Sequence, residues 1–206
     1  MISENGLNLP GILSIPENSR CIVLFAHGSG SSRFSSRNNF VAGILNSAGI
    51  STLLFDLLTE GESLDRSNVF DIGLLAERLL MATRWASRHE RTRSLKIGYF
   101  GASTGAAAAL AASVRSDVSI DAIVSRGGRP DLAFDFLDKV KSPTLYLVGA
   151  QDHGVLELNE KSYDQMNCVK KFDIVPDATH LFEEPGTLEY VADAAKLWFL
   201  EHLTER

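Results

Sequence analysis

Apolar residues fall into two alternating patterns along this chain. Short, nearly unbroken apolar runs are separated by longer stretches where apolar positions recur at helical spacing. Cys21 to Ala26, Ser51 to Leu57, Leu95 to Phe100, Ile120 to Val124 and Thr144 to Gly149 are runs of the first kind, and Phe172 to Val175 is a further strand. Runs this short with little polar alternation predict strands buried on both faces. Helical spacing marks residues 37–48, through Phe40, Val41, Ile44, Leu45 and Ala48. It recurs at 70–88, through Ile72, Leu75, Leu79, Ala82 and Ala86, and at 187–202, through Leu188, Val191, Ala195 and Phe199. Further helices are expected from Ala106 to Val114, over 155–167, and as a short piece from Leu132 to Val140. Residues 7–15 predict an edge strand or hairpin turned near Pro10-Gly11, and Thr59 to Asn68 reads as a polar loop.

Strand and helix alternating in this way predict an α/β fold, a mostly parallel central sheet with helices on both faces. Residues 1–206 are read as one domain, with no repeat or linker. No connection after Ile120–Val124 is long enough for a large cap domain, so an open, shallow site is expected.

Chemistry concentrates where strands end. Gly101-Ala102-Ser103-Thr104-Gly105 is a G-x-S-x-G pentapeptide between a strand and a helix, the context of a nucleophile elbow. The flanking glycines suit a turn too tight for side chains. Downstream, Asp152 closes a strand-turn segment, and His180 closes a strand-loop segment. Ser, then Asp, then His is the chain order of an α/β-hydrolase triad. Ser103 is the expected nucleophile, His180 the general base and Asp152 the residue that orients the imidazole. Asp177 and Asp56 are rival carboxylates. Asp177 suits a turn, and Asp56 suits shaping its own loop.

His27-Gly28-Ser29-Gly30 follows the first central strand. The N–H groups of Ser29 and Thr104 are the expected oxyanion donors, with Gly28 adjacent and His27 bonded within the loop. The same loop lacks a dinucleotide fingerprint, because position 33 is Arg, and it lacks the G-K-[S/T] of a phosphate loop. Arg33 and Arg37 follow this loop, and Arg126 and Arg129 follow a later strand. Arg33 and Arg126 are candidates to bind an anionic group of the substrate. Solvent exposure, or pairing with Glu60, Glu62 or Asp65, is the competing expectation. Glu183 and Glu184 read as loop and helix-start residues.

Composition narrows the classes. A net charge of −6 argues against a nucleic-acid surface. No apolar run approaches the roughly 18 residues that span a bilayer, and the first residues lack the pattern of a secretory signal. The two cysteines, Cys21 and Cys168, suit reduced thiols and a cytoplasmic setting. The five histidines show no metal-ligand spacing, so neither metal nor cofactor is expected. A small-molecule ester is the expected partner, and the chain a monomer or homodimer.

The segments His27-Gly28-Ser29-Gly30, Asp56-Leu57-Leu58, Gly101 to Gly105, Gly149-Ala150-Gln151-Asp152 and Ala178 to Phe182 together resemble a small, lidless α/β-hydrolase of the dienelactone-hydrolase-like group. The resemblance runs from about residue 8 to 203. True dienelactone hydrolases carry a cysteine nucleophile, whereas this elbow holds Ser103. That departure implies ordinary ester chemistry rather than dienelactone hydrolysis. Ser125-Arg126-Gly127-Gly128-Arg129-Pro130 also resembles hydrolase-like domains that are sometimes fused to phosphoribosyltransferases, although no such partner domain is expected within this sequence. A serine hydrolase of small carboxylic esters is the leading expectation. A thioesterase or peptidase would use the same parts, and a non-catalytic regulatory module is the expectation from a different class.

Overall fold

The apolar runs line up side by side as predicted. The structure is a computed structural model and describes residues 1–204. In chain order its strands are β1 (Ile2–Glu4), β2 (Leu7–Leu9), β3 (Gly11–Ser14), β4 (Cys21–Ala26), β5 (Ser51–Phe55), β6 (Lys96–Ala102), β7 (Ala122–Arg126), β8 (Thr144–Gly149) and β9 (Lys170–Val175). The helices are α1 (Ser36–Ser47), α2 (Glu60–Ser63), α3 (Ile72–Arg88), α4 (Thr104–Arg115), α5 (His153–Gln165) and α6 (Thr187–Thr204). The main sheet has the order β3-β5-β4-β6-β7-β8-β9. β3 runs antiparallel to β5, and every other neighbouring pair is parallel.

Both faces of the sheet are covered, which is why its strands show no polar alternation. In β4, Ile22, Leu24 and Ala26 join the core under α3 and α4. Cys21, Val23 and Phe25 join the core under α1 and α6. The alanine run in α4 is fully buried from Ala106 to Ala109, so this helix packs directly on the sheet and on α3. The parallel strands all finish at one edge. His27, Ser103, Asp152 and His180 follow the ends of β4, β6, β8 and β9 and therefore gather there.

Three expectations need correction. The amino-terminal hairpin is β1–β2, and it turns at Asn5-Gly6 rather than at Pro10-Gly11. Asn5 and Gly6 have φ of +49° and +81°. A two-residue hairpin turn whose twist matches the strands requires positive φ at both positions, which Asn-Gly tolerates best. Second, the polar loop after β5 contains α2. Its start is a capping box, in which Thr59 accepts from the Glu62 N–H and Glu62 accepts from the Thr59 N–H. Third, the expected helix near Leu132 is a 3₁₀ segment, Pro130–Lys139, broken at Ala133. That segment is the element in the connection from β7 to β8, and it packs against α4 and α5. The other helix ends fall within one or two residues of expectation.

Candidate active site

Ser103 stands alone between β6 and α4, at φ +51° and ψ −121°. A non-glycine residue there carries strain of about 1–3 kcal/mol, sustained only by its surroundings. Its N–H donates to the Arg126 carbonyl (3.3 Å), and its own carbonyl accepts from the N–H groups of Ala106 (3.0 Å) and Arg129 (3.1 Å). The flanking glycines are required by space. A Cβ at Gly101 would lie 2.5 Å from the Ala106 Cα, and one at Gly105 would lie 2.1 Å from the Ala26 carbonyl oxygen. Helix α4 can therefore start directly against the ends of β4 and β6. The Ser103 side chain caps nothing, so its hydroxyl is uncommitted at the sheet edge.

The loop after β4 runs against this elbow. A Cβ on Gly28 would come within 3.0 Å of the Ser103 Cβ. His27 fixes the loop from below: its Nδ1–H donates to the Gly28 carbonyl (3.0 Å), and its Nε2 accepts from the Leu57 N–H (3.1 Å). The imidazole thus bridges to the loop after β5 as well as bonding within its own loop. Burial is the main cause that holds its pKa below the ordinary histidine value; the bond to Gly28 and the charge of Asp56 oppose it. Asp56 fixes the far end of the loop, accepting from the Arg33 backbone N–H (2.6 Å) and pairing with the Arg33 guanidinium. Among the described residues, the Ser29 N–H has no acceptor. Thr104 is the first residue of α4, where an N–H lacks an intrahelical partner.

The third part is the pair of loops after β8 and β9. His180 Nδ1 lies 2.6 Å from Asp152 Oδ2. Asp152 occupies the N-cap position of α5, yet its carboxylate makes no capping bond there. The two loops are joined by the Gln151 N–H, which donates to the Ala178 carbonyl (2.9 Å). Gly149 makes room for this contact, since a Cβ there would lie 2.3 Å from the Ala178 oxygen. Glu184 accepts from both the backbone N–H (3.1 Å) and the hydroxyl (2.6 Å) of Thr179, which clamps the residue before His180. These bonds also hold the Glu184 carboxyl below its ordinary range.

Of the three candidate carboxylates, the structure brings only Asp152 to His180. Asp177 sits exposed in a left-handed turn, and Asp56 serves Arg33. Ser103 and His180 are not hydrogen-bonded in this conformation; both adjoin the same short segment. The Ser103 N–H is bonded to Arg126. The next residue, Gly127, faces the imidazole, with His180 Cε1 3.6 Å from where its Cβ would stand. Apo catalytic hydrogen bonds are often long and tighten when substrate binds.

A cavity of about 560 Å³ opens beside the elbow. Its lining includes Gly28, Ser29 and Thr104, the apolar Leu58 and Val69, and the charged Arg33 and Glu60. Arg33 reaches this cavity, but its charge is matched by Asp56 rather than by Glu60, Glu62 or Asp65. Arg129 is matched by Asp131 through two bonds of 2.8 Å. Among the described residues Arg126 has no such acid; it is 8% exposed, and its Nε and Nη1 have no hydrogen-bond partner there. Sequence patterns did not expose the Glu184 clamp or the isolation of Arg126, because neither depends on local periodicity. Among the described residues, no cluster of side chains is arranged to hold a metal ion, and no helix is long and apolar enough to cross a membrane.

A mostly parallel sheet with a strained serine elbow at its carboxyl edge defines an α/β-hydrolase. The chain belongs to the dienelactone hydrolase family, whose profile matches residues 55–204. Ser103, Asp152 and His180 lie inside that match, and the Ser29 loop lies before it. A crystal structure of dienelactone hydrolase from Anabaena variabilis is 51% identical, with a TM-score of 0.96, covering 98% of this chain and 95% of that one. Est1E from Butyrivibrio proteoclasticus shares the fold, with a TM-score of 0.84 at 20% identity over 99% of this chain and 98% of its own. A Mycobacterium tuberculosis protein that bears the name "Putative phosphoribosyl transferase" is 56% identical over 193 residues. That match covers 94% of this chain, and the chain spans 44% of the relative's length.

Proposed function

We propose that this protein is a serine hydrolase of small carboxylic esters. Ser103 Oγ attacks the ester carbonyl while His180 takes its proton. The Ser29 and Thr104 N–H groups receive the developing oxyanion. His180 then returns the proton to the departing alcohol, leaving an acyl-Ser103. Water, deprotonated by His180, attacks the acyl carbon and releases the acid. Asp152 holds the imidazole in the tautomer that accepts at Nε2 and stabilises the imidazolium.

The observation that carries this reading is the 2.6 Å contact between His180 Nδ1 and an Asp152 carboxylate that forgoes its helix cap. The open sheet edge and the cavity beside it support small, accessible esters. Cys21 and Cys168 are both free thiols, which supports a reducing, cytoplasmic setting. A regulatory, non-hydrolytic role has one observation in its favour: the chain spans less than half of its M. tuberculosis relatives.

A fluorophosphonate probe separates the two readings. Wild type is expected to label and Ser103→Ala to remain unlabelled. p-Nitrophenyl acetate and butyrate are expected to show higher kcat/KM than long-chain esters. Absence of both labelling and turnover overturns the hydrolase reading, and a preference for long chains overturns the small-ester reading.

A further inference from the structure

The main sheet ends at β9, which pairs with β8 on one side and, among the described residues, with no strand on the other. The carbonyls of Val169 and Val175 accept from the Thr144 and Ala150 N–H groups, and the register between them is unbroken. Odd-numbered residues of this stretch therefore turn their backbone groups to β8, and Lys170, Phe172 and Ile174 turn theirs outward. The Tyr163 hydroxyl donates to the Lys170 carbonyl (3.3 Å). Among the described residues, nothing bonds the outward N–H and carbonyl groups of Phe172 and Ile174. A bare edge invites another strand, and folds ordinarily guard it with an outward lysine, a proline or a covering element. Residues 169–175 contain no proline. The Lys170 ammonium is committed to the carbonyls of Tyr163 (2.6 Å) and Met166 (2.7 Å). Lys171 remains as a guard, and Asp173, 3.5 Å away on the same face, neutralises it.

Apolar side chains are bare along the same edge. Val169 is 63% and Ile174 44% exposed. The Tyr190 hydroxyl donates to Asp173 (2.8 Å), which turns this stripe of α6 toward β9. Leu197, two turns on, shares the stripe and is 63% exposed. The charges on β9 are complementary to themselves. With a second β9 antiparallel and Phe172 opposite Phe172, the outward N–H and carbonyl of each Phe172 meet those of the other. Lys171 then faces the partner's Asp173, and Asp173 faces the partner's Lys171. Both pairs fall at non-hydrogen-bonded positions, where side chains come closest. A slip of two residues either way sets Asp173 against the partner's Val175 or the partner's Asn167 and loses the match.

We infer that β9 is a homodimer interface, which joins two copies of this chain about a two-fold axis at Phe172 into one continuous sheet. A two-fold contact must be complementary to itself, and the Lys171–Asp173 pair supplies that. Each acid keeps the lysine of its own strand and gains one across the axis. The axis stands perpendicular to the sheet, so α6 comes to lie on the same side as the partner's α6, and the stripes bearing Tyr190 and Leu197 approach each other. The two β9 strands run in opposite directions, so the carboxyl edges of the two sheets point opposite ways. The edge that carries Ser103 and His180 stays open in each copy, and neither site borrows a residue from the other. The interface therefore stands or falls apart from the hydrolase chemistry.

Sedimentation velocity of the full chain over a range of concentrations tests it, with circular dichroism to check that each variant is folded. Wild type is expected to sediment as a dimer that dissociates on dilution. Asp173→Lys leaves an edge with two lysines, and Lys171→Asp leaves one with two acids. Each alone opposes like charges across the axis and is expected to raise the dimer Kd by about tenfold or more. Mixed in equal amounts, the two variants are expected to recover a dimer about as tight as wild type, because every opposed pair is then of opposite charge. Ile174→Pro removes an outward N–H without touching the bonds to β8, and it is expected to weaken the dimer as well. Should a charge variant fail to fold, Ile174→Pro carries the test, and dimerisation unaltered in it overturns the interface. A wild type that stays monomeric at every concentration also overturns it. So do folded charge variants that dimerise as wild type does, or a mixture that stays monomeric.

Discussion

His27 is expected to govern both stability and turnover, although it lies outside the proposed triad. Its imidazole joins the loop after β4 to the loop after β5 through two bonds. In His27→Ala, the Leu57 N–H loses its acceptor. Leu57 is fully buried with the ring in place, and leaving its N–H without an acceptor costs about 1–3 kcal/mol. The Gly28 carbonyl keeps a second donor, the Ser31 N–H at 3.2 Å. Its loss is therefore only a net hydrogen bond, about 0.5–1.5 kcal/mol. Together the change is about 1.5–4.5 kcal/mol by these magnitudes, before any cavity left by the ring. A domain of this size shifts by about 2–4 °C per kcal/mol, so Tm should fall by roughly 3–18 °C. Turnover should fall too, because Gly28 and Ser29 are positioned by this ring. Misplacing one oxyanion donor costs about 10²–10³ in kcat. His27→Gln supplies an acceptor for Leu57 and should recover much of the stability. Urea denaturation and steady-state hydrolysis of p-nitrophenyl acetate measure both effects. His27→Ala unfolding within about 0.5 kcal/mol of wild type, the scatter of a neutral surface change, would refute the reasoning.

The same residue makes stability depend on pH in a definite direction. Its pKa is lowered in the folded protein, from an ordinary value of 6.5, mainly by burial. As pH falls below that ordinary value, the unfolded chain takes up a proton that the folded one refuses. Stability is lost there, and the loss levels off below the folded value. Comparing the pH dependence of wild type with that of His27→Gln isolates this contribution, which should be absent from the variant.

Gly105→Ala would place a Cβ 2.1 Å from the Ala26 carbonyl oxygen, and a cost at or above the usual 1–3 kcal/mol of overpacking is expected in denaturant melts. Gly43→Ala, in the exposed interior of α1 with open space around it, should instead stabilise by about 0.5–1 kcal/mol, and a reversed order of the two variants would contradict the packing described. Asp152→Asn should lower kcat by about 10⁴ with little change in Tm, because the His180 tautomer is then wrong for a base while the fold is intact. A nearly normal kcat in that variant would assign orientation of His180 to another group.

The class of fold and the positions of Ser103, Asp152 and His180 were legible in the sequence for one reason. Local pattern reports which faces of a segment are buried, and parallel strands with both faces buried must deliver their following residues to a common edge. G-x-S-x-G could be read because steric exclusion acts within the pentapeptide, as the short distances at Gly101 and Gly105 bear out. The Asn5-Gly6 turn and the Thr59–Glu62 capping box were equally local, and their signals were present although the expectation placed the turn elsewhere. Tertiary structure alone decided the rest. Arg33 finds Asp56 across 23 positions, and Arg37 finds Glu183 across 146. Arg126 finds no acid among the described residues. Chain periodicity holds no record of such partnerships, because a charge is matched or left unmatched only when separate loops close over the same edge of the sheet.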